Sequence, residues 1–369
     1  KETHITTPTM QQFFMDSGYR VASGGKVFHG TPGKVGDALF KRPRDPKPPK
    51  GKDTFSAMRA PNDGYALDAT DEDMSDYNVA QWATQQWQTA SEKPLFMSVG
   101  FFRPHRPLQV PKPWFDLFPL ASIRRPAEPA GVDDWADMPE FAQRLARTHA
   151  HKPLHKGLSD HEYIVANDQW DVTIRAYQAS VAFVDHQIGR FLDNLAKNPR
   201  GRETIVMLVS DHGWHLGEKK HWCKGAIWEQ TTRIPFIVRA PGVEAGAICT
   251  QPVSLIDVYP SLVDLAGINV PDWLDGRSIK PQLTAPSTPR PAAISSYGEG
   301  NTAIRSERWR YIRYEDGSEE LYDHKVDPNE WTNQANNPEH AETKRKLAQM
   351  IPADQHPGLK VQTWFDKYQ

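Results

Sequence analysis

The run Ile205-Val206-Met207-Leu208-Val209, followed at once by Ser210-Asp211-His212-Gly213, constrains this chain more than any other stretch. Five apolar, mostly branched residues predict a strand buried in a parallel sheet. The abrupt change to polar residues then falls at the carboxyl end of that strand, where open α/β sheets bind their ligands. A carboxylate, an imidazole and a flexible glycine at that point suggest a metal-dependent active site. Lys224 follows on the same loop and is placed to meet an anion.

The rest of the chain narrows the class. A length of 369 residues suffices for one large α/β core and a smaller subdomain. The net charge of −2 favours neither nucleic acid nor an anionic membrane as partner. No run approaches the 18 apolar residues of a membrane-spanning helix. Cys223 and Cys249 make neither a disulfide framework nor a metal-site spacing. No Asn-x-Ser/Thr sequon occurs, which disfavours a glycosylated eukaryotic secreted protein.

Periodicity and turn residues predict alternating helices and strands. Thr7-Pro8 starts a helix that stops at Gly18. Strands are expected over 19–24, 95–99, 204–209 and 235–240. Helices are expected over 71–90, 168–195 and 257–266. The helix 168–195 carries Ile174, Tyr177, Val181, Val184, Ile188, Phe191 and Leu195 at alternating spacings of three and four. Residues 31–64 and 108–160 read as irregular. Past the Pro-rich stretch 284–291, residues 302–314 and 320–323 read as antiparallel strands around Asp316-Gly317, followed by a polar helix 338–350. The fold expected is α/β, with a mostly parallel central sheet sandwiched by helices and a small C-terminal antiparallel sheet. The boundaries are 1–285 for the main domain and 286–369 for the subdomain.

Several strand ends carry groups suited to one chemistry. Lys26 and His29 follow the first strand, His105 the second, Asp211 and His212 the third, and Lys224 stands on the loop beyond. Hydrolysis of a highly charged ester needs cations to neutralise the transferred group and histidines to move protons. Taken singly, each of these residues fits a solvated loop or a helix cap equally well. Arg103, Arg106, His215 and His221 flank the same loops and are candidates for substrate contact. The cluster His149, His151, His155 and His161 reads best as a solvated loop, and Trp82, Trp87, Trp114 and Trp135 as packing. Cys223 reads as a buried thiol rather than a nucleophile.

The motifs Gly25-Lys26-Val27-Phe28-His29, Arg103-Pro104-His105-Arg106-Pro107 and Ser210 to Lys224 together resemble the sulfatase family of the alkaline-phosphatase superfamily, in its iduronate-2-sulfatase-like branch. The phrases around Trp309 and Glu320-Leu321-Tyr322-Asp323 resemble that family's C-terminal sheet. The resemblance implies a sulfatase that acts on a sulfated carbohydrate, with calcium as metal, in the periplasm or outside a bacterial cell. It implies that Lys26 and Lys224 bind sulfate. It makes His29 the partner of a formylglycine nucleophile and His105 a proton donor. Asp211 and His212 become calcium ligands. Many relatives have Asn at the position of His212.

The family's N-terminal segment, a strand ending in paired aspartates followed by a Cys/Ser-x-Pro/Ala-x-Arg motif, is not found in these residues; Ser287-Thr288-Pro289-Arg290 has its arginine one place early. The expectation is therefore that an N-terminal segment of the same precursor supplies the nucleophile, and that the isolated chain is inactive. Two alternatives stay open: a phosphonate or phosphodiester hydrolase of the same superfamily, and a non-catalytic binder of sulfated glycans.

Overall fold

A computed structural model describes residues 7–28, 36–46, 64–128, 131, 133–147 and 157–353. The chain forms two compact units, one of residues 1–124 and 169–203, the other of 125–168 and 204–369. The expected boundary near 285 falls inside the second unit.

In the first unit the opening helix is Met10–Asp16. Its N-cap is Thr9, two residues later than expected, and the Thr9 hydroxyl accepts the Gln12 N–H at 3.2 Å. The chain turns at Gly18 with φ +89° and enters strand β1, Arg20–Gly25. Strand β1 is the middle of a parallel sheet, between β2 (Ala38–Phe40) and a later strand, β4 (Leu95–Gly100); β3 is Tyr65–Leu67 and pairs in parallel with β5, Gln109–Pro111. Helix Ser75–Gln88 covers the sheet through Trp82 and Ala83, which pack with Ala22.

The helix Trp170–Ala196 runs as predicted, but its buried stripe differs. Ile174, Val184 and Leu195 are buried, whereas Val181 is 39% exposed. The continuous buried stripe is Thr173, Ala176, Ser180, Phe183 and Gln187, one position round the helix. Small residues win there because they permit close approach. A Cβ added to Gly64 would stand 2.2 Å from that of Ala176.

In the second unit, strand β6 is Val206–Val209, and it corrects the expectation of a buried parallel strand. It pairs antiparallel with β9 (Phe236–Arg239), and all four of its residues are half-buried. Branched apolar residues specify extended backbone; they do not specify the direction of the partner. Between them, β7 (His215–Leu216) and β8 (Trp222–Cys223) form a short hairpin.

The C-terminal sheet is antiparallel, in the order β10 (Ala293–Ser296), β11 (Thr302–Arg305), β12 (Trp309–Arg313) and β13 (Glu319–Asp323). The expected strand 302–314 is thus two strands joined at 306–308. Both faces of this sheet are buried, so neighbouring residues alternate between two clusters. Ile304, Tyr311 and Leu321 pack with Leu347 of the helix Ala341–Ala348. Ala303, Ile312 and Tyr322 pack with Trp228, Phe141 and Leu145. The last two belong to a helix, Glu140–Arg147, within the span expected to be irregular.

Candidate active site

Lys26 stands one residue beyond β1, where its N–H donates to the Gly100 carbonyl at 2.7 Å. The ends of β1 and β4 approach too closely for side chains. A Cβ on Gly25, whose φ is +78°, would lie 2.0 Å from the Gly100 oxygen. Lys26 and the loop bearing His105 therefore leave the same edge of one sheet. Among the described residues, no carboxylate pairs with Lys26. His29 lies outside the described residues.

The loop after β4 is pinned before it reaches His105. Asp76, buried in the first turn of helix Ser75–Gln88, accepts the N–H groups of Phe102 and Arg103 at 2.8 and 2.9 Å. Burial raises the Asp76 pKa and these two bonds oppose the rise. The Arg103 side chain is 1% exposed and donates to Asp45 at 2.8 Å and to the Gln109 carbonyl at 2.9 Å. The expectation that Arg103 and Arg106 meet substrate is corrected by this burial: Arg103 braces the loop from inside, and Arg106 is buried as well. Both X-Pro bonds here, at Pro104 and Pro107, are cis.

His105 Nδ1 lies 2.6 Å from the Arg106 carbonyl. A carbonyl only accepts, so Nδ1 carries the proton and Nε2 is the nitrogen that gains or loses one.

In the second unit, Asp211, His212 and Lys224 line one cleft of about 1720 Å³, built wholly from that unit's residues. The Asp211 carboxylate is 71% exposed, and its Oδ1 is 3.6 Å from His212 Nε2. His212 Nδ1 donates to the Gly213 carbonyl at 2.9 Å, which turns the lone pair of Nε2 toward the carboxylate side. Gly213 allows the loop to lie against the backbone of residues 230–233: its Cβ would meet the Gln230 oxygen at 2.0 Å. A hard oxygen beside a correctly oriented imidazole suits a divalent cation.

The floor of the cleft is a buried chain of charges that sequence reasoning missed. Glu330 is fully buried. It takes Arg310 Nε at 2.5 Å, His324 Nε2 at 2.9 Å and the Glu229 N–H at 2.9 Å; its carbonyl takes Lys219 Nζ at 2.6 Å. Arg310 also binds Glu229 and the Ile227 carbonyl, and Lys219 reaches Asp134 at 2.8 Å. Trp228 donates to Glu320 at 2.7 Å. Burial would raise the Glu330 pKa, but Arg310 and His324 outweigh it and bring it down to about 2. Glu229, His324 and Glu330 have metal-like spacing. However, Arg310 and Arg305 already occupy their oxygens and supply the positive charge. The network instead fastens the loop carrying Lys224 to β12 and β13. Charged residues at alternate strand positions, such as Arg310 and Glu320, were its only trace in the sequence.

His215 and His221 are corrected as substrate contacts. Both are buried, their Nδ1 atoms are 3.0 Å apart, and His215 stacks on Trp228. One ring donates and the other accepts. Burial holds His221 at a pKa of about 4 and His215 well below its ordinary value. Of the loop histidines, His149, His151 and His155 lie outside the described residues, and His161 accepts the Trp222 N–H at 3.4 Å. Cys223 is a buried thiol, as expected. Among the described residues no helix is long and apolar enough to cross a membrane.

A sulfatase from Formosa agariphila is 34% identical over 342 residues, covering 89% of this chain and 66% of that protein. Human iduronate 2-sulfatase is 27% identical, over 71% of this chain and 55% of its own length. A choline-sulfatase from Rhizobium meliloti is 29% identical, over 67% and 48%. The chain thus spans about half to two thirds of the curated relatives it matches. A solved structure in complex with its substrate D-glucosamine-2-N,6-O-disulfate superimposes with TM-score 0.68 at 21% identity, covering all of this chain and 84% of that one. A phosphonate monoester hydrolase from Silicibacter pomeroyi gives 0.71 at 21%, over 94% and 79%. Both share the alkaline-phosphatase-like fold. The N-sulphoglucosamine sulphohydrolase C-terminal pattern matches residues 217–356. The sulfatase pattern itself matches residues 3–268, nearly three quarters of the sequence, and the chain belongs to the sulfatase family.

Proposed function

We propose that this chain carries the sulfate-binding, metal-binding and proton-transfer groups of a sulfuric-ester hydrolase that acts on sulfated carbohydrates. The observation that carries the proposal is the sharing of one cleft by Asp211, His212 and Lys224. In this reading Lys224 and Lys26 bind the sulfuryl oxygens as point charges. His105, its Nδ1 proton fixed on the Arg106 carbonyl, gives a proton to the leaving oxygen through Nε2. Asp211 and His212 hold part of a calcium shell, whose other oxygen ligands come from elsewhere. The bound cation adds positive charge where the ester oxygens become more negative. In this reading the nucleophile is a formylglycine, although no Cys/Ser-x-Pro/Ala-x-Arg motif occurs in the sequence. The glucosamine disulfate bound by one structural neighbour supports a sulfated sugar as substrate class.

A phosphonate ester is the second reading, favoured by the 0.71 match to a phosphonate monoester hydrolase. Kinetics with 4-nitrophenyl sulfate and 4-nitrophenyl phenylphosphonate, on the enzyme expressed from its whole gene, separate the two. Preference for the sulfate is expected, and Lys224→Ala should lower kcat by about 10²–10³, as for a lost oxyanion donor. Cleavage of the phosphonate with no turnover of the sulfate would overturn the proposal.

A further inference from the structure

Among the polar groups lining the cleft, Tyr297 belongs neither to the charge network nor to the sulfate-binding set. It lines the cleft together with Lys224 and Gly225. Its ring packs on the cluster containing Ala226 and Trp228, which fixes its direction. The turn that carries it is tight. The Tyr297 N–H donates to the Asn301 carbonyl at 3.0 Å, Gly298 and Gly300 have φ of +69° and +81°, and the Glu315 N–H donates to the buried Asn301 side chain at 3.1 Å. The hydroxyl has no hydrogen-bond partner among the described residues. A half-buried phenol with an unused O–H is a ready donor to a ligand.

The gap between Tyr297 and Lys224 is kept open by Gly225. Its φ is +101°, and a Cβ there would stand 3.2 Å from the phenol oxygen. Burial raises the Tyr297 pKa, so the group remains a neutral donor. A neutral donor on an apolar ring suits a sugar hydroxyl or ring oxygen, whereas the sulfate is better met by the lysine.

Resting on the reading of this cleft as a sulfatase site, we propose that the Tyr297 hydroxyl donates a hydrogen bond to the carbohydrate part of the substrate, beside the sulfate held at Lys224. Tyr297 is thereby a specificity residue. The test is Tyr297→Phe, which removes one oxygen and keeps the packing, in the enzyme expressed from its whole gene. KM for glucosamine 6-sulfate should rise about three- to tenfold, the worth of one hydrogen bond. The kcat should change less, and the loss on 4-nitrophenyl sulfate should be smaller than the loss on the sugar. Equal losses on both substrates, or none on the sugar, would overturn the proposal. If the wild-type enzyme cleaves no sulfate ester, the sulfatase reading falls first. Calorimetry with glucosamine 6-sulfate then judges Tyr297 alone: weaker binding by the variant supports it, and equal or absent binding by both proteins overturns it.

Discussion

The strand-end site of the first unit and the cleft of the second are built by opposite means. Around Lys26 the backbone is the device: Gly25 and Gly100 let two parallel strands touch, and the N–H of Lys26 closes the contact. Around Lys224 side-chain charge is the device: Glu330, Arg310, Glu229 and Lys219 fasten the loop through buried ion pairs. Close backbone packing tolerates no added atom but is indifferent to pH. A buried charge chain tolerates changes of shape but fails when one member loses its charge. The two lysines thus stand on scaffolds with different weaknesses.

The largest effect should come from the charge chain. Glu330→Ala leaves Arg310 and His324 facing a buried void, and breaking a buried pair in this way costs about 3–5 kcal/mol. Denaturant titration of the second unit's transition should detect it; a loss below about 1 kcal/mol would mean that the network is not what holds the loop. Gly25→Ala attacks the other scaffold. It sets a methyl against a carbonyl at a positive φ, with an expected cost of about 1–3 kcal/mol. The denaturant transition of the second unit should be unaffected by the alanine, and a change there would erase the contrast between the two regions.

Acid should separate the regions next. The folded-state pKa of His221 lies at about 4, below the ordinary 6.5, so the unfolded chain takes up the proton first. The stability contributed by the neutral ring is present above pH 6.5 and is lost as pH falls toward 4. Glu330, at about 2 against 4.5, adds a second loss as pH falls below 4.5. Asp76 acts in the opposite sense: its raised pKa means that its cost is relieved as pH falls. Amide hydrogen exchange between pH 7 and 4 should therefore show the second unit opening before the first. Equal opening would mean that the buried His221 and Glu330 do not set the acid stability of the second unit. The smallest effect belongs to the exposed pair Lys112–Asp116, where Lys112→Ala should cost less than about 0.5 kcal/mol.

The strand ends were legible in the sequence because a branched apolar run favours extended backbone and a polar cluster directly behind it marks the exit toward solvent. Lys26, His105, Asp211, His212 and Lys224 all stand on loops that follow strands, and the antiparallel C-terminal sheet was announced by its turn at Asp316-Gly317. The stripe on helix Trp170–Ala196 was read one position off, because large apolar residues draw attention while the tight contact is made by Ala176 and Ser180. Arg103, Arg106, His215 and His221 read as functional since a polar residue near an active loop carries no mark of its own burial.

Local chemistry by itself determined where the strands end, which turns need glycine and which residue types stand at each strand end. Those features depend on neighbours within a few positions along the chain. Only the tertiary structure decided that β6 pairs antiparallel with β9, that His215 and His221 share one proton out of reach of the cleft, and that Glu330 joins Lys219 and Glu229 to Arg310. Pairing direction, burial and ion-pair partners are set by residues as much as 111 positions apart, and an isolated stretch of sequence contains no force that acts over that separation.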